Sequence, residues 1–308
     1  MTVSERRSTS TLPRYCYNWA MPSTDGTPIE EVFGAPPDRT DPLLVDLAGT
    51  ALEAARSAAA VLSRGATGEL DIETKSSATD MVSNVDLAAE AAVAEVLARR
   101  RPDDAVLGEE GTTSTGTTGV RWVVDPLDGT TNFLFGLPQF AVSVAAEVNG
   151  ETAVGVVLDP SRNETWAAVA GWGATRNGHR CSVATGRSTL PTALVATGFG
   201  YQSQRRAWQS QVLTRILPAV RDVRRFGAAS LDLCWVGGGR FDAYYEWGLN
   251  PWDLAAGELI CREAGGRAEA LEGRVIVAAT AELFGPLCEL LAAAGALEPP
   301  PGTEPKLW

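Results

Sequence analysis

Two aspartates lie three positions apart in residues 122–133, which read WVVDPLDGTTNF. The apolar run before Asp125 predicts a buried strand, and Pro126 and Gly129 predict that this strand ends in a tight turn. Asp125 and Asp128 are therefore expected at the carboxyl end of a strand, where α/β sheets bind their ligands. A helical turn that begins at Gly129 would add free backbone amides, which bind anions such as phosphate. Carboxylates beside a phosphate site imply that a cation lies between them, because the bare charges repel each other.

Two further carboxylates lie at the ends of predicted elements. Glu109 follows the short apolar strand 105–107, and Asp253 lies in the first turn of a predicted helix, where helix capping alone would explain it. No cysteine or histidine is placed to join these acidic residues, and a donor set of oxygens alone is typical of Mg²⁺ or Mn²⁺ sites. Together with the anion-binding amides, the set predicts metal-assisted attack of water on a phosphate ester.

Two other interpretations of these residues remain. The DPLDGT sequence by itself is also compatible with an ordinary surface turn, because Pro, Asp and Gly are common turn residues. A Ca²⁺-binding structural module is the other alternative, but it would need a spaced D-x-D-x-D loop and a bidentate glutamate, and the chain lacks that pattern.

The composition restricts the classes of partner. The formal net charge is -12, which disfavours nucleic acid because that binding needs Lys and Arg to neutralise phosphates. No run approaches the ~18 apolar residues of a membrane-spanning helix. The single histidine, His179, disfavours a histidine-based zinc site or a Ser-His-Asp triad. Five scattered cysteines, without a C-x-x-C pair or a signal peptide, predict reduced thiols and a cytoplasmic location.

The elements before the central strand supply another carboxylate pair. The Asp-Pro sequence at 41–42 predicts the start of a helix, and apolar residues at helical spacing continue to about residue 65. A second helix is expected from the cap residue Asn84 to about residue 101. Asp86 lies in its first turn, where a carboxylate also simply stabilises the helix dipole. Asp86 and Glu90 are four residues apart and therefore share one helix face.

The elements after the central strand alternate in type. An antiparallel hairpin with a type I′ turn is predicted at 149–150, followed by a strand near 165–169. A second half begins with a strand at 194–197 and continues with alternating helices and strands to about residue 294. The pattern therefore predicts an α/β (α+β) fold, in which the first half has two helices on an antiparallel-rich sheet.

The predicted organisation of the chain follows from where the periodicity begins and ends. Residues 1–40 show no lasting periodicity and are expected to form a poorly ordered extension. A single catalytic domain is predicted for residues 41–295, with subdomains at about 41–190 and 191–295. Residues 296–308 are expected to be a flexible tail.

The same residues carry a resemblance to a known family. Three blocks match closely in order, at residues 108–110, 122–133 and 252–266. Lighter matches run from Lys75 through Asp86 to Glu90, at Gly173-Ala174 with Asn177-Gly178, and from Gly227 through 242–246. Over residues 41–295 the chain resembles the inositol monophosphatase family, the lithium-sensitive sugar phosphatases. Three ordered blocks make a chance match very improbable.

The resemblance implies a layered αβαβα sandwich, a homodimer, and two or three Mg²⁺ ions per site, with Mn²⁺ as a substitute. The implied metal ligands are Glu109, Asp125, the Leu127 carbonyl, Asp128 and Asp253. The implied catalytic residues are Glu109, Thr130 and Asp86, with Thr130 bonded to Asp86 and orienting the attacking water. The implied substrate contacts are Asp128, Gly129 and Thr130 on the phosphate side and Gly227, Ala228, Ala229, Glu246 and Asp253 on the alcohol side. Lys75 is a further implied site residue.

The substrate is less constrained than the metal site. Phe135 stands where many relatives have histidine, Ala228 where animal inositol phosphatases commonly have threonine, and Asn250-Pro251 where they have a His-Cys pair. The resemblance implies a small phosphorylated polyol or amino alcohol, with inositol 1-phosphate and histidinol phosphate as the leading choices. Fructose bisphosphate and phosphoadenosine nucleotides are substrates of other relatives on the same scaffold.

A function of another class is a binding or regulatory protein that keeps the scaffold without turnover. The presence of Glu109, Asp86 and Thr130 argues against it, because a protein without turnover has no physical need for groups that activate water. A Mg²⁺-dependent phosphate-release assay distinguishes the two functions.

Overall fold

The computed structural model describes residues 28–37, 41–66, 72–74, 81–272 and 274–298. Within these residues the helices are α1 (Ile29–Phe33), α2 (Pro42–Gly65), α3 (Asn84–Arg100), α4 (Thr130–Leu134), α5 (Ser203–Ile216), α6 (Ala229–Gly237), α7 (Pro251–Glu263) and α8 (Ala281–Ala293). The strands are β1 (Ile72–Thr74), β2 (Met81–Ser83), β3 (Ala105–Gly108), β4 (Thr113–Ser114), β5 (Val120–Asp128), β6 (Ala141–Val148), β7 (Glu151–Asp159), β8 (Glu164–Val169), β9 (Gly173–Arg176), β10 (His179–Arg180), β11 (Leu194–Thr197), β12 (Asp222–Arg224), β13 (Ala243–Trp247), β14 (Arg267–Leu271) and β15 (Val275–Ala279).

Two mixed sheets contain most of these strands. Among the described residues the larger sheet has eight strands in the order β10-β9-β8-β7-β6-β5-β3-β4, and the smaller has five in the order β12-β11-β13-β15-β14. In the larger sheet β5 pairs parallel with β3 and antiparallel with β6. In the smaller sheet β11 pairs parallel with both β12 and β13. Glu109 therefore follows β3, and Asp125 and Asp128 lie in the last part of the neighbouring strand β5.

Three apolar clusters separate five layers. The first cluster joins α2 and α3 to one face of the larger sheet. The second joins the opposite face to α6 and α7 and then to one face of the smaller sheet, and the third joins the other face of the smaller sheet to α5 and α8. Along β5, Trp122 and Val124 belong to the first cluster and Val123 to the second, as strand alternation requires. The layered αβαβα arrangement predicted from the sequence is confirmed.

Helix α7 of the middle layer packs closely against the larger sheet and against its neighbour α6. Helix α7 approaches β7 so closely that a Cβ atom on Gly155 would lie 2.9 Å from the Ala256 Cα atom. Within the layer, a Cβ atom on Gly257 of α7 would lie 2.9 Å from the Ser230 carbonyl oxygen in α6. Both glycines therefore permit backbone approach that no larger residue would allow.

Local signals located several elements correctly. Helix α2 begins at Pro42, and the Asp41 carboxylate accepts a hydrogen bond from the Leu43 amide at 2.9 Å. The hairpin between β6 and β7 turns at Asn149 and Gly150, whose φ angles of 54° and 89° fit the predicted type I′ turn.

Two predictions of element ends were wrong. The central strand β5 does not stop at Pro126 but continues to Asp128, because its pairing with β6 resumes after a bulge between Asp125 and Asp128. A proline is tolerated there because a bulge leaves a residue without a ladder bond. The cap of α3 is Ser83 rather than Asn84, since the Ser83 side chain accepts from the Val85 and Asp86 amides.

The predicted disorder of residues 1–40 is also wrong for part of this range. Residues 28–37 contain α1, where Val32 and Phe33 are 5% and 1% exposed and belong to the first apolar cluster. The Thr175 hydroxyl donates a hydrogen bond to the Val32 carbonyl oxygen, which ties α1 to β9. Residues 1–27 and 38–40 lie outside the described residues. No helix in the described ranges is long and apolar enough to cross a membrane.

Candidate active site

The bulge in β5 turns two carboxylates into the same buried region. Asp125 and Asp128 are 1% and 7% exposed, and the Asp125 Oδ1 atom accepts a hydrogen bond from the Leu127 amide at 3.0 Å. Gly129 follows with φ 90°, and a Cβ atom there would lie 2.9 Å from the Gln139 carbonyl oxygen. Only glycine suits both that conformation and that contact. The turn predicted at Gly129 is therefore present, and the strand before it ends at Asp128, two residues beyond Pro126.

Thr130 opens α4 and faces a carboxylate from α3. Its hydroxyl lies 3.1 Å from Asp86 Oδ1 and 3.1 Å from the Leu127 carbonyl oxygen, so it can donate to either. Asp86 is fully buried, and its Oδ2 atom accepts from the Ser83 amide at 3.0 Å and the Ser83 hydroxyl at 2.5 Å. Asp86 therefore caps α3 with one oxygen and faces Thr130 with the other, which unites the two interpretations of its role.

Glu109 follows β3 beside the central strand. The Glu109 amide donates to the Val124 carbonyl oxygen at 3.1 Å, which extends the ladder between β3 and β5 by one residue. The side chain of Glu109 is partly exposed. Its negative charge is close enough to raise the pKa values of Asp125 and Asp253. The pairing of β3 with β5 therefore brings Glu109 close to the carboxylates of β5, so that their charges interact.

Asp128 also acts as the cap of α6, a contact that the sequence analysis missed. Its carboxylate accepts from the Ala229 amide at 3.2 Å, from the Ser230 amide at 2.8 Å and from the Ser230 hydroxyl at 2.5 Å. The N-cap residue of α6 is Ala228, whose side chain cannot accept a hydrogen bond. An alanine at that position is a signal that another element supplies the acceptor, and here Asp128 does so. Ala228 and Ala229, expected on the alcohol side, thus lie directly beside a metal-ligand candidate.

Asp253 lies at the third position of α7. Its Oδ2 atom accepts a hydrogen bond from the Asn250 amide at 2.6 Å, so the capping interpretation of this residue is correct. Its charge also interacts with those of Glu109, Asp128 and Glu246. The carboxylate therefore contributes to the acidic cluster from the middle helical layer.

Burial and mutual repulsion dominate the chemistry of this cluster. Burial, followed by the charge of Glu109, raises the pKa of the Asp125 and Asp253 carboxyls well above the ordinary value. Burial also raises the pKa of Asp128 to about 6, although the hydrogen bonds from Ser230 oppose the shift. A cation would relieve this repulsion, and buried carboxylates without thiolate or imidazole fit a hard divalent ion. Among the described residues, no three His, Cys, Asp or Glu side chains are already arranged so that they could hold a metal ion.

The side of the site that is predicted to face the alcohol contains β13 and the segment before α6. The Tyr244 hydroxyl donates to the Glu246 carboxylate at 2.8 Å. Burial raises the pKa of Glu246 to about 7, whereas Tyr244 and the charges of Arg225 and Arg205 oppose this shift. A Cβ atom on Gly198 would collide with the Glu246 carboxylate, so a glycine is required beside it. Glu246 is therefore a protected acceptor whose ionisation falls near neutral pH.

Two further polar residues of this region were not found from the sequence. The Asn132 side-chain amide donates to the carbonyl oxygens of Gln139 at 2.7 Å and Phe226 at 2.8 Å, which joins the loop after β5 to the segment that contains Gly227. Asp232 in α6 is 1% exposed, and neither of its carboxylate oxygens has a hydrogen-bond partner within the described ranges. No short-range pattern marks either residue, because the Asn132 contacts and the burial of Asp232 both depend on tertiary packing.

Comparison with known proteins gives the family. A model of the inositol monophosphatase family matches residues 44–299. This chain belongs to the inositol monophosphatase family. The chain is 42% identical over 254 residues to the inositol-1-monophosphatase SuhB of Mycobacterium tuberculosis, covering 78% of this chain and 88% of that protein. It is 45% identical over 219 residues to the Nus factor SuhB of Pasteurella multocida, covering 70% of this chain and 82% of that protein.

The fold of this inositol monophosphatase family member also matches solved structures. The inositol monophosphatase of Anabaena superposes with a TM-score of 0.71 at 33% identity, over 82% of this chain and 97% of that one. The structure brings together the following predicted site residues of the family: Asp86, Glu109, Asp125, Leu127, Asp128, Gly129, Thr130, Gly227, Ala228, Ala229, Glu246 and Asp253. Lys75 lies outside the described residues.

Proposed function

We propose that this protein catalyses Mg²⁺-dependent hydrolysis of a small phosphate monoester by direct attack of water. The observation that supports this most strongly is the convergence of Glu109, Asp125, Asp128 and Asp253 into one cluster of mutually repelling carboxylates, of which Asp125 and Asp128 are buried. The Thr130–Asp86 contact lies beside that cluster. A cluster of this kind destabilises the fold unless a cation binds, so its presence favours a functional role.

The residues that would hold Mg²⁺ are Glu109, Asp125, the Leu127 carbonyl, Asp128 and Asp253. Bound ions would polarise the phosphate, lower the pKa of water and stabilise the negative charge of the leaving oxygen. When the Thr130 hydroxyl donates its hydrogen bond to Asp86, its lone pairs are left to accept a hydrogen bond from the attacking water. This contact orients the water toward phosphorus, with Glu109 as a second acceptor.

The substrate would span the two halves of the site. The Gly129 and Thr130 amides begin α4 and therefore have no acceptor within that helix, so they are available to phosphate oxygens. Glu246 would accept a hydrogen bond from the alcohol part, and Gly227, Ala228 and Ala229 would form the wall beside it. We propose inositol 1-phosphate as the first substrate to test, because a relative with 42% identity is an inositol-1-monophosphatase. Histidinol phosphate is the second.

A phosphate-release assay with a panel of monoesters tests this function. We expect turnover with Mg²⁺ or Mn²⁺, loss of turnover in excess EDTA, and inhibition by lithium. Asp86→Asn should lower kcat, whereas Asp103→Asn, which changes an exposed aspartate, should not. Phosphate release that persists undiminished in excess EDTA would refute the metal-dependent mechanism.

A second candidate function is supported by the relatives that are named Nus factor SuhB. That name describes a regulatory protein, and a regulatory role need not use the acidic cluster. Replacing the chromosomal gene with the Asp125→Asn form in the source organism separates the two functions. A phenotype equal to gene deletion supports the phosphatase, and a wild-type phenotype supports a non-catalytic role.

We further propose that the protein is a homodimer. Phe135 and Leu137 follow α4 with 50% and 51% of their surface exposed, and a second copy of the chain would cover such large apolar side chains. Sedimentation equilibrium of the wild type and of a Phe135→Ser, Leu137→Ser double variant tests this. A wild type that sediments as a monomer refutes the dimer.

A further inference from the structure

Glu90 is a buried carboxylate that has no part in the proposed mechanism. It lies on α3, one helical turn after Asp86, and is 4% exposed. Its Oε2 atom accepts a hydrogen bond from the Glu110 amide at 2.7 Å, and its Oε1 atom accepts one from the Thr112 amide at 2.7 Å. Both bonds join an ionisable carboxyl to backbone amides, the type of hydrogen bond that is roughly twice as strong as a neutral one. Glu90 therefore holds the turn that follows β3.

The contact between Glu90 and this turn is close. A Cβ atom on Gly108 would lie 2.6 Å from Glu90 Oε2, so only glycine permits the carboxylate to reach the turn. The turn is closed by the Gly108 amide, which donates to the Thr112 carbonyl oxygen at 2.7 Å. A glycine is therefore needed at position 108 so that the Glu90 carboxylate can approach the turn.

The two anchors of the turn lie on either side of Glu109. The peptide plane before Glu109 is fixed by the bond from its amide to the Val124 carbonyl oxygen at 3.1 Å. The peptide plane after Glu109 is fixed by the bond from the Glu110 amide to Glu90. Fixing both planes fixes φ and ψ of Glu109, and with them the direction in which its side chain leaves the backbone.

We propose that Glu90 is a positioning residue that aims the Glu109 carboxylate at the metal cluster. Helix α3 would then set the geometry of both groups that surround the attacking water, because Asp86 bonds Thr130 and Glu90 bonds the turn of Glu109. The proposal deepens the proposed function and rests on Glu109 as a metal ligand. It assigns to one rigid helix the alignment that two separate loops would otherwise have to maintain.

A titration with Mn²⁺ tests the proposal without turnover. The EPR signal of free Mn²⁺ reports how many ions the full-length chain binds and how tightly. Glu109→Gln should weaken one class of Mn²⁺ site. We expect Glu90→Gln to weaken the same class by about 10- to 100-fold, because losing a residue that holds a metal ligand in place typically has an effect of this size. The class that Asp253→Asn removes should keep its affinity. Glu95→Gln changes an exposed glutamate on the same helix and should leave every class unchanged.

Two further variants separate positioning from a general loss of structure or charge. If Glu90 acts through Glu109, adding Glu90→Gln to Glu109→Gln should cause no further loss of Mn²⁺ affinity. Glu90→Asp keeps the charge but is shorter by one methylene, so it should be impaired as well. Equal weakening of all Mn²⁺ classes, full additivity of the two substitutions, or wild-type affinity in Glu90→Gln would each overturn the proposal. A chain that binds Mn²⁺ as expected but hydrolyses no monoester would refute the proposed function and leave the role of Glu90 supported.

Discussion

Ser230 donates both its amide, at 2.8 Å, and its hydroxyl, at 2.5 Å, to the carboxylate of Asp128. These bonds cross between β5 and α6 and favour the ionised form of Asp128, which opposes the effect of burial. The same carboxylate therefore caps a helix and is a candidate metal ligand. Its protonation should control metal binding near pH 6.

Ser230→Ala should raise the pKa of Asp128, since it removes one of the hydrogen bonds to the ionised form. Metal binding needs ionised Asp128, so activity at subsaturating Mg²⁺ should fall as the pH drops through about 6 in the wild type. In the variant this fall should begin at higher pH, by about one unit if the lost bond contributes ~1.5 kcal/mol. The pH dependence of kcat/KM measures the shift. Ser210→Ala, at an exposed serine, is the control, and coincident profiles would contradict the prediction.

Asp125→Asn should reduce turnover by on the order of a hundredfold or more, because it removes a preorganised charge from the cluster. The same substitution should not destabilise the metal-free protein. Burial and the charge of Glu109 hold the pKa of Asp125 well above the ordinary value, so removing this carboxylate relieves repulsion. Thermal unfolding in EDTA at pH 8 should therefore show an unchanged or higher Tm. A lower Tm together with activity within a few-fold of wild type would show that Asp125 is structural.

Glu246→Gln should remove both a carboxylate that accepts hydrogen bonds from the substrate and the pH dependence of kcat/KM that its ionisation causes. Only ionised Glu246 accepts hydrogen bonds at both oxygens, so kcat/KM for a polyol or amino alcohol phosphate should rise as the pH passes about 7. The variant should show a flat profile in this range and a loss of roughly 10- to 100-fold on such substrates, with little loss on an aryl phosphate. An amine-bearing substrate should lose more, because its bond is charge-assisted. Equal losses on all substrates would assign Glu246 to the fold.

Ionisation of Glu246 should also lower the stability of the folded protein. Its pKa of about 7 in the folded protein exceeds the ordinary value of 4.5, so the folded state binds this proton more tightly than the unfolded state. The free energy of unfolding should therefore fall as the pH rises from about 4.5 to 7. Urea titrations of the metal-free protein should show that Glu246→Gln reduces this fall.

The segment before residue 41 should contribute stability rather than chemistry. Phe33 in α1 is 1% exposed, and Phe→Ala substitutions in a core cost about 3–5 kcal/mol. Phe33→Ala and a truncation that begins at residue 41 should both lower Tm, whereas a truncation that begins at residue 28 should not. Activity below the unfolding transition should persist in all three proteins. A truncation at residue 41 with wild-type Tm would show that α1 contributes no stability.

Structure that depends on residues close together in the sequence was predicted correctly, whereas structure that depends on distant residues was not. The start of α2 at Pro42 and the turn at Asn149-Gly150 follow from residues within a few positions, and both were predicted correctly. The continuation of β5 through Pro126 was missed because it depends on pairing with β6 beyond a bulge. A proline alone indicates an end of a strand, but a partner strand can override it.

The candidate site shows the same limit. Ends of strands and helices marked Glu109, Asp125, Asp128 and Asp253 as a donor set, because acidic residues at such positions form a visible pattern. The Ser230–Asp128 bond joins residues 102 positions apart, and Glu90 meets the Thr112 amide 22 positions away. A single sequence carries no signal for such pairs beyond indirect ones, such as the alanine at the N-cap of α6.

The close contacts of Gly155 and Gly257 with the middle helical layer have a consequence for genetics. Helix α7 carries Asp253, and both glycines determine how near it lies to β7 and α6. A substitution at either position adds a side chain where backbone atoms already touch, so the helix and its carboxylate have to move. Screens for inactive alleles should therefore recover Gly155 and Gly257, two residues that have no side chain to take part in the reaction.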